Sequence, residues 1–267
     1  MQNFLSEIIE LKQSRLDEAK LSKPFETLRE DALVQRHSAK KHALREAIKN
    51  DSHLNVIAEF KRASPSKGMI RDDVGPTEIA LLYEAGGAAA ISILTEEDRF
   101  RGSLDDLRAV HATVSLPLLR KDFLFDEFQL YEAAASGADA LLLIVAILDD
   151  ETLAHLRRIT EEDLQMDALV EVHNKEELSR AVRAGAGLIG VNNRDLRSFN
   201  VSLDVSVELI RHAPKDALMI AESGLNSRED LVHLRECGYK GFLIGESLMR
   251  AEKPDETLRK MIFDLGF

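Results

Sequence analysis

Gly137-Ala-Asp-Ala-Leu-Leu-Leu-Ile144 closes one element and opens the next without a pause. The glycine suits the end of a helix, and Ala140–Ile144 is a short apolar run of the kind that forms a buried strand. The same join recurs as Gly185-Ala-Gly-Leu and Gly238-Tyr-Lys-Gly. Outward from these joins, a unit of about 20–35 residues repeats from residue 54 onward: an apolar β-rich run, a polar loop, an amphipathic helix. The strand candidates are Asn55–Glu59, Ala90–Leu94, Leu116–Arg120, Ala140–Ile144, Ala168–Val172, Leu188–Asn192, Leu218–Glu222 and Gly241–Gly245. Helix starts are signalled by Pro76, by Asp126 with Gln129, by Asn174 with Glu177 and by Ser227 with Asp230. Helix stops fall at Gly86-Gly87, Gly137, Gly185 and Gly238. Strands alternating with helices pair in parallel through right-handed crossovers. Eight such units predict an α/β chain whose residues 51–267 form a closed (β/α)8 TIM barrel. An open parallel sheet is the alternative.

Residues 1–50 read differently. Phe4, Ile8, Ile9, Leu11 and Leu16 fit one helical face, and a second, basic helical stretch is expected from Ser38 to about Lys49. No Gly/Ser-rich linker follows, which predicts an N-terminal helical extension packed on the barrel, in one structural domain.

With 267 residues, 45% of them hydrophobic and 31% charged, the chain can bury a large core. A net charge of −12 argues against a nucleic-acid or membrane-surface partner. A small anionic substrate would then need a local cluster of cations to overcome that field. The single cysteine, Cys237, excludes an intramolecular disulfide and suits a small buried thiol. Met1–Gln13 lacks the pattern of a secretory signal, and the apolar run Ala140–Leu148 is too short to span a bilayer, so the cytoplasm is expected. His37 and His42 lack the i, i+4 spacing of a ligand pair, and the other histidines are scattered, so no metal is expected.

In such a barrel the reacting groups sit where strands run into the following loops. Those ends carry Glu59 and Lys61; Thr95 and Glu96; Arg120, Lys121 and Asp122; Glu171 and His173; Asn192, Asn193 and Arg194; Glu222 and Ser223; Glu246 and Ser247. Buried charges cost several kcal/mol each unless paired or used, so polar endings on so many strands point to a reaction site. After Glu59, the loop Ser64-Pro65-Ser66-Lys67-Gly68 can offer hydroxyls and N–H groups to an anion. The glycines at the ends of the last two strands, Gly224 and Gly245, lie where barrels often hold a phosphate. His173 shares a face with Glu171 near the mouth, which allows a secondary polar contact, and a capping or surface role is the simpler expectation for it.

Seven ordered motifs carry a resemblance: Ile57-Ala-Glu-Phe-Lys-Arg-Ala-Ser-Pro-Ser-Lys-Gly68, Leu94-Thr-Glu with Phe100 and Gly102-Ser103, Leu119-Arg-Lys-Asp-Phe123, Val170-Glu-Val-His173, Gly190-Val-Asn-Asn-Arg-Asp-Leu196, Ala221-Glu-Ser-Gly224 and Leu243-Ile-Gly-Glu-Ser-Leu-Met249. In these the chain resembles indole-3-glycerol phosphate synthases. The resemblance implies a cofactor-free lyase that closes an indole ring, converting 1-(2-carboxyphenylamino)-1-deoxy-D-ribulose 5-phosphate to indole-3-glycerol phosphate, CO2 and water. It implies Lys121 as proton donor to the ketone, with a lowered pKa if other cations flank it. It further implies Lys61 for the substrate carboxylate, with either lysine open as the acid of the dehydration, Glu171 as general base, Glu59 as holder of the lysines, and Asn192, Glu222 and Ser223 as orienting groups. Ser64, Arg194, Gly224, Gly245 and Glu246 would grip the phosphate. Pro65, Leu94, Phe100, Phe123, Leu142 and Leu196 would form the anthranilate pocket. The rivals are another phosphate-handling barrel, such as a phosphoribosylanthranilate isomerase or a tryptophan synthase α-like lyase, and a non-catalytic barrel that binds a sugar phosphate. With the chain ending at Phe267, no fused partner domain is expected, and a monomer is.

Overall fold

A computed structural model of the chain describes residues 4–196 and 198–263; the outer ends of the expected 1–50 and 51–267 segments lie outside them. Eight parallel strands close on themselves: β1 Asn55–Phe60, β2 Ala90–Leu94, β3 Leu118–Lys121, β4 Ala140–Ile144, β5 Asp167–Val172, β6 Leu188–Asn192, β7 Leu218–Glu222 and β8 Gly241–Ile244. Closure is explicit in the pairing, because β1 bonds to both β2 (Glu59 opposite Ser92) and β8 (Ala58 opposite Ile244). The open-sheet alternative is thereby excluded.

Each strand is buried on both sides, and alternation divides its residues between two apolar clusters. Ile57, Leu119, Leu142, Leu169, Ile220 and Leu243 fill the barrel interior. Val56, Ile91, Leu141, Val170, Ile189 and Phe242 face the surrounding helices. Burying such a side chain contributes roughly 1.5–3 kcal/mol, so both layers hold the closed form. The third strand begins two residues later than its expected Leu116, because Pro117 has no N–H for the ladder. Its carbonyl still accepts from Ile91 N–H at 2.9 Å, and the later register carries Lys121 inside the strand.

The helix signals act where they were read. Pro76 opens α4 (Pro76–Ala85), and capping boxes open α6 (Glu127–Ala135) and α10 (Arg228–Cys237). Asn174 accepts from Glu177 N–H at the start of α8 (Lys175–Arg183). The stops at Gly87, Gly137, Gly185 and Gly238 all have positive φ, which glycine adopts without a Cβ clash. Cys237 is half-buried rather than buried.

The extension differs more from expectation. It forms α1 (Phe4–Ser22), α2 (Phe25–His37) and α3 (Ala43–Ala47). The stretch expected to be helical from Ser38 is helical only over α3, since His42 takes a left-handed φ of 48°. The longer α2 escaped notice because it buries only Leu28 and Ala32, too few to show a period. On α1 the buried face is Ile8, Lys12 and Leu16, spaced by four, whereas Leu11 is 37% exposed; the side chain of Phe4 lies outside the described part. Lys12 reaches Asp122 Oδ2 at 2.9 Å and Arg15 reaches Asp98, so α1 lies against the loops after β2 and β3. Phe25 of α2 packs edge-on to Tyr131 of α6. Leu44 and Ile48 join the interior cluster, and Arg45 N–H donates to Asp167 Oδ2 at 2.8 Å, which sets α3 at the strands' N-terminal ends. No helix among the described residues is long and apolar enough to cross a membrane.

Candidate active site

At the C-terminal ends of the strands lies a cavity of about 870 Å³. The ladder brings its charges to one level: Leu94 stands opposite Lys121, Ile144 opposite Glu171, and Asn192 opposite Glu222. Lys121 Nζ lies 3.1 Å from Glu171 Oε2 and 3.4 Å from Glu222 Oε2. Lys61 Nζ donates to Glu59 Oε1 at 2.5 Å. Glu59, Lys61, Lys121, Glu171, Asn192 and Glu222, drawn from five strands or the residues just after them, all line this one space. Two glycines make room for the acids. A Cβ at Gly190 would overlap Glu222 Oε1, and one at Gly245 would overlap Glu59 Oε1.

The electrostatics reverse one expectation. Lys121 is ringed by acids rather than cations. Burial disfavours its charge, but Glu171, Glu222 and Glu59 outweigh burial and hold its pKa well above the ordinary value. Burial also opposes ionisation of Glu171, yet Lys121 and His173 hold it below the usual carboxylate range. Glu222 goes the other way. Burial, together with repulsion from Glu171 and Glu59, outweighs Lys121 and raises its pKa, and neither of its oxygens has a hydrogen-bond partner among the described residues. The site therefore rests with a protonated amine, an ionised carboxylate at Glu171 and a second carboxyl that holds a proton more readily.

The expected phosphate-binding residues Ser64, Arg194, Gly224, Gly245 and Glu246 line the same cavity. Ser223 and Gly224 have φ of 65° and 77°, a left-handed turn of the chain directly after β7 in the cavity wall. For Ser223 that backbone is strained, a condition found at functional sites. The hydroxyls of Ser64 and Ser247 are buried without a hydrogen-bond partner among the described residues. Helix α11 (Glu246–Arg250) begins directly after Gly245, and the first N–H groups of a helix have no partner within it. The Glu246 carboxylate pairs with Arg250 Nε at 3.2 Å and lies 4.0 Å from Lys67 Nζ, so only its backbone suits an anion. Arg194 donates to the Phe199 carbonyl at 3.3 Å.

Elsewhere in the cavity wall, Phe100 and Phe123 have ring centroids 6.4 Å apart, inclined by 41°. Pro65, Leu94, Leu142 and Leu196 line the cavity with them. One rim thus offers cations, hydroxyls and N–H groups, the middle offers proton-carrying groups, and an apolar slot adjoins both.

A family model described as "Indole-3-glycerol phosphate synthase" matches residues 5–261. The chain belongs to this family. Synthases of that name are similar to it over nearly their whole length. The one from Carboxydothermus hydrogenoformans is 47% identical over 97% of this chain and 99% of its own. That from Delftia acidovorans is 43% identical over 98% and 99%, and that from Legionella pneumophila strain Paris 41% identical over 99% and 100%. Among solved structures, 3-hexulose-6-phosphate synthase from Salmonella typhimurium matches with a TM-score of 0.63 at 14% identity, covering 78% of this chain and 96% of that one. Thiamine phosphate pyrophosphorylase from Pyrococcus furiosus matches with 0.59 at 15%, covering 78% and 93%. These two likenesses show the barrel fold alone.

Not every polar strand end of this synthase-family chain belongs to the cavity's chemistry. Arg120, 2% exposed, points outward and donates to Thr95 Oγ1, the Gln129 carbonyl, Glu132 and Asp122. Asp122 also takes Lys12, and burial of that carboxylate is outweighed by Lys12 and Arg120, which lower its pKa. Asn193 accepts from the Ser206 N–H and hydroxyl. Glu96, Glu97 and Asp98 form the one group of acids close enough to share an ion among the described residues. Glu96 is taken by three backbone N–H groups, Glu97 by Lys12 and Asp98 by Arg15, which makes them a loop brace. Sequence reasoning missed Asn226 and Arg250 in the cavity wall, and placed Lys67 and Ser247 there without a role of their own. His173 is neither surface nor cap: 12% of its side chain is exposed, and it lies between Glu171 and Glu177.

Proposed function

We propose that this chain is an indole-3-glycerol phosphate synthase, a carboxy-lyase of tryptophan biosynthesis that turns 1-(2-carboxyphenylamino)-1-deoxy-D-ribulose 5-phosphate into indole-3-glycerol phosphate, CO2 and water. Membership of that family across residues 5–261 carries the reading, and the cavity's three-part chemistry suits the substrate. In this reading Ser64, Arg194, Ser247 and the backbone at Gly224, Gly245 and Glu246 receive the phosphate. Phe100 and Phe123, with Pro65, Leu94, Leu142 and Leu196, receive the aromatic ring. The substrate carboxylate draws Lys61 from Glu59.

Proton bookkeeping then assigns the central groups. The ketone oxygen gains a proton as the ring carbon attacks, and the carboxylate departs as CO2, leaving its electron pair to restore aromaticity. The new hydroxyl leaves as water with a further proton, and one proton is lost from the adjacent carbon. Each turnover takes up one proton from solvent. Lys121, always loaded because three acids surround it, donates to the ketone as negative charge develops there. Glu171, ionised in the free site, accepts the carbon-bound proton. Asn192, Glu222 and Ser223 orient the intermediates. The extension and barrel act as one domain, in a cytoplasmic monomer.

Incubating the purified chain with this substrate is expected to release CO2 and indole product in equal amounts. An isomerase would convert an anthranilate sugar phosphate without losing carbon, and a binding barrel would release nothing. Either result would replace the assignment.

A further inference from the structure

Behind Glu171 stands a line of charge that the reaction scheme leaves unused. His173 follows Glu171 by two residues and so lies on the same side of the chain. Its Nε2 is 3.3 Å from Glu171 Oε1, an ion-pair contact without hydrogen-bond geometry. Its Nδ1 is 3.0 Å from Glu177 Oε2, and that same oxygen accepts the His173 backbone N–H at 2.8 Å. Glu177 is fixed in turn by Asn174, whose side chain donates to Oε1 and accepts from Glu177 N–H. On its far side Glu171 meets Lys121, beyond which lie Glu222 and Glu59.

We propose that His173 is a positioning residue for the reaction: anchored by Glu177, it holds the Glu171 carboxylate ionised and aimed at Lys121. A base held by a third group is a recurring way to fix orientation and protonation together. Two acids flank the imidazole. Burial opposes its charge, but Glu171 and Glu177 prevail and push its pKa up to about 10. Glu171 thus has positive charge on both sides, Lys121 and His173, whereas Glu222 meets Lys121 alone and binds a proton more readily. The role rests on Glu171 being the base of the proposed reaction.

The test has one arm that needs no substrate. In the free enzyme, nuclear magnetic resonance of the imidazoles, assigned with His173→Gln, should show His173 doubly protonated from about pH 5 to 8, whereas an unperturbed histidine titrates near 6.5. Glu177→Gln should bring its titration down into that window. An ordinary titration in the unaltered protein would overturn the proposal whatever the chain catalyses. In the kinetic arm, His173→Gln should lower kcat about tenfold, a part of what a general base contributes, with KM changed less than about threefold. Glu177→Gln should move kcat the same way by less. An unchanged kcat, or an effect confined to KM, in a variant with unaltered circular dichroism would refute the positioning role.

Discussion

Lys121→Ala is expected to lower kcat by about a thousand-fold or more while the barrel still folds. A positioned proton donor contributes about 10²–10⁴-fold, and in the proposed reaction the same ammonium would also meet the charge that grows on the ketone oxygen. The fold survives because the lysine is not part of the apolar interior. Its loss leaves Glu171, Glu222 and Glu59 facing one another without their shared cation, and one of the acids answers by binding a proton instead of forcing the strands apart. Turnover measured beside a thermal melt separates these effects. A variant that keeps kcat within about tenfold of the parent would remove Lys121 from the donor role.

Glu171→Gln carries the second large effect, a fall in kcat of about 10²–10⁴-fold with KM nearly unchanged. The amide keeps the shape and can still accept from Lys121, but it cannot collect a proton. The parent's pH profile follows from the same arrangement. Because Lys121 and His173 depress the pKa of Glu171, that carboxylate, the proposed base, stays ionised from neutral into weakly acidic solution, and activity should not fall there through protonation of this residue. Steady-state rates of both proteins across that range are the check. Equal kcat in parent and variant would assign the proton to another group, with Glu222 the nearest candidate.

The sequence was most legible where one physical rule acts alone. Continuous apolar runs, glycine stops and capping pairs placed Ala140–Ile144, Leu188–Asn192 and Leu218–Glu222 to the residue. It was least legible where a distant partner decides. Lys12 sits on a helical face that hydrophobic periodicity alone would leave to apolar residues, and its reason is Asp122, 110 residues away. The surroundings of Lys121 were misjudged for the same cause. Lys61 and Arg120 are near it in sequence or motif, but Arg120 points outward and Lys61 is spent on Glu59, while Glu171 and Glu222 arrive from across the barrel. His173 looked incidental because Glu177 reads as a helix-start residue, and its carboxylate serves both purposes.

The central claim is that barrel closure gathers groups distant in sequence into one cavity that holds and converts a single substrate. A crystal structure of the chain with indole-3-glycerol phosphate tests this most directly. The phosphate is expected among Ser64, Arg194 and the backbone of Gly224 and Gly245, the indole ring against Phe100 and Phe123, and Lys121 and Glu171 within hydrogen-bonding reach of the glycerol and ring atoms. Product bound elsewhere, or bound here with Lys121 and Glu171 turned from it, would remove these residues from the reaction.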